Sequence, residues 1–135
     1  MVTCAQMFIS NLDSKGMRYD VRDIDNGGCC ITVPFNDFQP AFVFDGRDDG
    51  THVALRICLT DCPPDRIPDI LLIYNSLNGQ YRWLKFYLDK DNDIMIEDDA
   101  ILTPETAGEE CFELLGRTVN ILDEVKPLIM KVIYA

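Results

Sequence analysis

The alternation of apolar and polar positions changes period from one short segment to the next, and each change marks an element. Over residues 3–14, Ala5, Phe8, Ile9 and Leu12 recur at helical spacing and give one apolar face, with Thr3 as a cap and Gly16 as a stop. Met17, Tyr19 and Val21 then alternate with Arg18, Asp20 and Arg22, the period of two that a strand requires. Asn26-Gly27-Gly28 supplies residues that tolerate positive φ, so a turn follows. Cys29, Ile31, Val33 and Phe35 share one face of a second strand, and Pro34 puts its end there. Residues 41–45 predict a third strand. Gly46 to Gly50 turns the chain, and Val53, Leu55, Ile57 and Leu59 line a fourth.

Beyond Cys62-Pro63-Pro64 the helical period returns. Ile67, Ile70, Leu71, Tyr74 and Leu77 form a stripe that Leu72 and Ile73 widen, which predicts a deeply buried helix ending at Gly79. Pro68 is compatible with its first turn. A hairpin follows: Arg82 to Leu88, a turn over Asp89 to Asp93, and a return strand carrying Ile94 and Ile96. The last element is a long helix. Thr103-Pro104-Glu105 caps it, with Thr106-x-x-Glu109 as a start three residues later. Phe112, Leu115, Val119 and Leu122 form one stripe, and Leu114, Ile121, Val125 and Leu128 form another beside it. Pro127 is expected to kink or break this helix.

The order is α-β-β-β-β-α-β-β-α, which predicts an α+β fold: an antiparallel sheet with helices packed against it. No linker or repeat divides the 135 residues, so a single domain over 1–135 is expected. The final helix carries more apolar surface than one sheet contact uses. It is either a homodimer or partner interface, through Phe112, Leu115, Val119 and Leu122, or the core of the monomer.

Charge narrows the partners. With 23 acidic against 12 basic residues the formal net charge is -11. Such a surface repels phosphate, so neither nucleic acid nor anionic membrane is expected to bind it. No apolar run reaches membrane-spanning length, and no signal peptide is read at the N-terminus, so a cytoplasmic protein with reduced thiols is expected.

Candidate chemistry is sparse. Cys58-x3-Cys62 and Cys29-Cys30 lack paired zinc spacing, and His52 has no partner motif. Buried apolar thiols are the expected role of most of the six cysteines. Asp89-Lys90-Asp91-Asn92-Asp93 places oxygens like a calcium loop, yet Ile94 stands where the loop needs glycine and Ala100 where it needs glutamate. Asp45 to Gly50 is turn chemistry by the same argument. In an ideal strand His52 and Cys58 share a face but lie roughly 20 Å apart, too far for a dyad. No metal, no cofactor and no catalytic residue is expected. Trp83, Lys85 and Tyr87 share the side of the hairpin opposite its aliphatic face. They form either a contact surface for a protein or peptide or, with helices on both sides of the sheet, part of the core; the core reading is slightly favoured.

Asn75-x-x-Asn78, then Arg82-Trp83-x-Lys85-Phe86-Tyr87-Leu88-Asp89-x-Asp91, then Ile94-x-Ile96-Glu97, resemble the YbjN domain family of bacterial regulators. Glu113-Leu114-Leu115 and Asp123-Glu124-x-x-Pro127-x-Ile129-Met130 extend the resemblance, which is close over residues 65–135 and rests on element order over 1–60. It implies a fold similar to type III secretion chaperones, often dimeric, and no active site. Asn75 and Asn78 are its first positions to map, with a structural role expected from their backbone-bonding amides. The reading is a non-enzymatic protein-binding or chaperone-like regulatory module, a homodimer with an unidentified protein or peptide partner. The alternatives are a small-molecule or redox-sensing domain using the cysteines, and a subunit of a larger assembly.

Overall fold

The computed structural model describes residues 1–135, apart from the side chain of Asp48. Its elements are α1 (Thr3–Ser14), β1 (Asp20–Asp23), β2 (Cys29–Thr32), β3 (Ala41–Phe44), β4 (His52–Asp61), α2 (Ile67–Gln80), β5 (Leu84–Leu88), β6 (Asp93–Ile101) and α3 (Ala107–Ile133). This is the order the periodicities predict. The six strands form one antiparallel sheet in the order β1-β2-β3-β4-β6-β5. The long β4 bridges its two halves, and a register shift between Cys58 and Thr60 bends the β4–β6 pairing near its end.

Strand alternation sorts the side chains into two faces. Ile31, Phe42, Leu55, Ile57, Ile96 and Phe86 stand on one face and are all buried. The helices cover this face. Phe8 of α1 sets its ring 4.5 Å from that of Phe42, and Tyr74 of α2 meets Phe86 edge-on at 5.4 Å. Each such side chain, moved fully from water, stabilises the fold by roughly 1.5–3 kcal/mol. The α1–α3 crossing is close at Gly108, where a Cβ would stand 2.9 Å from the Met7 carbonyl oxygen. The opposite face carries Arg56, Cys58, Lys85, Tyr87, Met95 and Glu97, and no helix covers it.

Four expectations change. The sheet is covered on one side, so Trp83, at 68% exposure, is not core. Leu71 (50%) and Leu72 (75%) lie at the surface because α2 sits at the β5 edge and turns one side to the core, through Ile70, Tyr74 and Leu77 with Ile67 and Ile73 half-buried beside them; it is not the most buried helix. α3 runs unbroken through Pro127, since the residues on both sides of the proline remain packed through Val125, Ile129 and Ile133. Finally, Leu115, Val119 and Leu122 are buried in the chain's own core, and only Phe112 of that stripe reaches the surface. Three of the stripe's four residues are thus packed inside the chain itself.

Candidate functional site

The hairpin is fixed first at its outer edge. β5 ends the sheet, so alternate backbone groups of this strand face away from β6. Asn78 answers one pair of them. Its Nδ2 donates to the Phe86 carbonyl at 2.9 Å, and its Oδ1 accepts from the Phe86 N–H at 2.8 Å. An amide is the side chain that can do both at once. Asn75, one turn earlier, is exposed.

Lys85 and Tyr87 converge on Glu97 of β6. Lys85 Nζ lies 3.0 Å from Oε2, Arg56 donates to Oε1 at 3.0 Å, and the Tyr87 hydroxyl donates to Oε1 at 2.7 Å. Burial pushes Glu97 up, but hydrogen bonds within the cluster and the Arg56 charge outweigh it and hold the carboxyl well below the usual range. Burial and the bond to Glu97 push Tyr87 up to about 12. Three donors bond this carboxylate, so the cluster ties β4, β5 and β6 together on the open face of the sheet.

Trp83 takes no part in the contacts of Lys85 and Tyr87 with Glu97. It precedes β5 and adopts φ +80°, a left-handed conformation that is strained for a bulky residue. The Arg117 guanidinium of α3 lies over its ring, 5.9 Å from the centroid. The same guanidinium reaches Asp98 Oδ2 at 3.0 Å, where the Thr118 hydroxyl also donates at 3.4 Å. Asp98 is 1% exposed, and its other oxygen has no hydrogen-bond partner. Burial pushes its carboxyl up against the opposing pull of Arg117. On the neighbouring position His52 Nε2 lies 3.0 Å from Asp99. Trp83, Arg117, His52, Asp99, Ala100 and Ile101 line a cleft of about 560 Å³, and Ile101 is 85% exposed.

The remaining candidates are quieter. Five of the six cysteines are buried and Cys58 is exposed. Burial pushes the Cys29, Cys58, Cys62 and Cys111 thiols up, the reverse of what a thiolate nucleophile requires. Carboxylate oxygens of Asp89, Asp91 and Asp93 lie within 4.8 Å of one another. Turn geometry accounts for this: Asp89 Oδ1 accepts from the backbone N–H groups of Asp91 and Asp93, and Asn92 takes φ +61°.

Asp98, Arg117, Asp99 and Ile101 escaped the sequence reading, which weighed His52 only for a metal site or a dyad. One signal was present. Ile94 and Ile96 alternate toward the covered face, and the next position in that series is Asp98, an acid placed in a core. Arg117 and Ile101 meet Trp83 only through the tertiary fold.

A one-sided antiparallel sheet under three helices is the α+β architecture shared with solved type III secretion chaperones. The sequence carries the identification further: the chain belongs to the YbjN family, described as "putative bacterial sensory transduction regulator", which it matches over residues 6–129. The crystal structure of E. coli YbjN superposes with a TM-score of 0.64 at 13% identity, over 94% of this chain and 96% of that one. The Yersinia pestis type III secretion chaperone SycH, solved with a stable fragment of YscM2, gives 0.57 at 11% identity, over 87% and 94%. SchA in the HopA1–SchA chaperone–effector complex is also similar, at a TM-score of 0.53 and 16% identity, over 87% and 91%. At these identities the likeness is one of fold. No curated protein sequence matches the chain.

Proposed function

We propose that this chain is a non-enzymatic regulatory module that binds a protein segment in the cleft between Trp83 and Ile101. One observation carries the reading: two large apolar side chains, 68% and 85% exposed, flank a cleft rimmed by charged groups. Buried aromatic anchors with a polar rim dominate protein contacts. A strained, exposed tryptophan is costly unless something uses it. Two fold neighbours were solved with protein partners, which adds support. The raised thiols weigh against the redox-sensing alternative.

Self-association belongs to the same proposal, supported by the exposed Leu71 and Leu72 of α2. The compartment proposed is the reducing cytoplasm, where Cys29, Cys30, Cys58, Cys62 and Cys111 persist as thiols.

The test compares affinity capture from native extract by the wild type, Ile101→Ser and Leu72→Ser, with native mass measured for each. One protein captured by the wild type and Leu72→Ser but lost with Ile101→Ser supports the cleft. Capture indifferent to Ile101 refutes it.

A further inference from the structure

We infer that the segment taken by this cleft is basic as well as apolar: a stretch of a partner protein carrying lysine or arginine beside aliphatic side chains. The inference rests on the protein-binding reading and names its partner class.

The charge lining the cleft decides the class. Arg117 brings a positive charge, but Asp98 neutralises it through a 3.0 Å ion pair. What remains around Ile101 is the His52–Asp99 pair, 3.0 Å apart, and further acids. Asp99 lines the cleft itself, and Glu110 and Glu113 line the adjoining hollow that shares Ala100, Ile101 and Arg117 with it. Neither Glu110 nor Glu113 has an ion-pair partner among the described residues. Three carboxylates thus surround an apolar anchor on a chain of net charge -11. A guanidinium or ammonium set beside Ile101 meets acids, and its aliphatic stem packs on the exposed Ile101 side chain.

The same acids disfavour a second copy docking cleft to cleft, because Asp99, Glu110 and Glu113 of each chain would face one another. They also disfavour an acidic segment, which would bring carboxylates against Asp99, Glu110 and Glu113 without a free cation to receive them.

Trp83 is the only tryptophan, so its emission reports the cleft directly. The probes are three short synthetic peptides: one alternating leucine with lysine, one with glutamate in place of lysine, and one with serine. Each is titrated into the intact protein at low and at physiological salt. The lysine peptide is expected to shift Trp83 emission saturably and to weaken as salt rises. Ile101→Ser, which removes an exposed side chain and leaves the core intact, is expected to weaken it about tenfold, the loss of one apolar anchor. The double variant Asp99→Asn with Glu113→Gln is expected to flatten the salt dependence, and Leu72→Ser to leave binding unchanged.

If the glutamate or serine peptide binds as tightly and still depends on Ile101, the basic class is refuted while the protein-binding reading stands. If none of the peptides shifts Trp83 and capture from extract ignores Ile101, both fall. If Ile101→Ser lowers the native mass of the protein alone, the cleft is covered by a second copy and the inference is overturned.

Discussion

Removing the Asn78 amide tests how the hairpin that presents the cleft is held. Asn78→Ala deletes both bonds to Phe86, at 2.9 and 2.8 Å. Each such bond contributes about 0.5–1.5 kcal/mol net, which makes about 1–3 kcal/mol for the pair. Alanine returns roughly 0.5 kcal/mol of helix propensity to α2. The expected loss is therefore about 0.5–2.5 kcal/mol, or a fall in Tm of roughly 2–10 °C for a chain of this size. Urea denaturation with an unchanged slope measures it, and amide exchange localises it: the Phe86 N–H should exchange much faster, whereas Leu55 and Ile57 in central β4 should not. Asn78→Asp separates the two bonds. At neutral pH it keeps an acceptor for the Phe86 N–H but sets a carboxylate against the Phe86 carbonyl. It should cost at least as much as alanine, and part of that cost should vanish when acid restores a donor. An alanine variant as stable as the wild type, with Phe86 still protected, would refute this account of the β5 edge.

Three further outcomes follow from particular contacts. Gly79→Ala meets nothing within 4 Å and should stabilise α2 by about 0.5–1 kcal/mol in thermal denaturation, whereas Gly46→Ala puts a Cβ 1.9 Å from the Asn26 carbonyl oxygen and should cost more than about 2 kcal/mol. Glu97→Gln should destabilise at neutral pH, because Arg56, Lys85 and Tyr87 all bond that carboxylate. Since the folded carboxyl is held below its ordinary value, its contribution is complete above the unfolded pKa and is lost as pH falls through the folded one, so the gap to wild type should narrow in acid; a gap that widens contradicts the network. Thiol titration of the native protein should find Cys58 reacting first and slowly, with the buried cysteines following only on unfolding; a fast, low-pKa thiol would revive the redox-sensing alternative.

Element order was legible in the chain because each element keeps its own period. Ala5, Phe8 and Leu12 mark α1 over its observed length, and the alternation Val53-Leu55-Ile57 marks β4. Hydrophobicity alone could not assign depth. Leu71 and Leu72 read as core but lie outside, because a helix at a sheet edge has only one side to bury. The Leu115–Val119–Leu122 stripe read as surplus surface, because the number of elements packing on α3 is a property of the assembled fold. The cleft was half legible. Trp83 stood out by its type, but the pattern of side chains does not encode its left-handed backbone. Arg117 and Ile101 join it from distant segments, so no local motif announces them.

The family and fold neighbours leave the partner open, and the cleft gives it a chemical description. The most direct measurement places a photo-crosslinking residue at position 101 of the full chain in living cells, with position 72 on α2 as the reference. The account predicts that position 101 captures a discrete protein through a segment rich in lysine or arginine, and that position 72 does not capture it. Capture of that protein at 72 and not at 101, or through an acidic segment at 101, would contradict it.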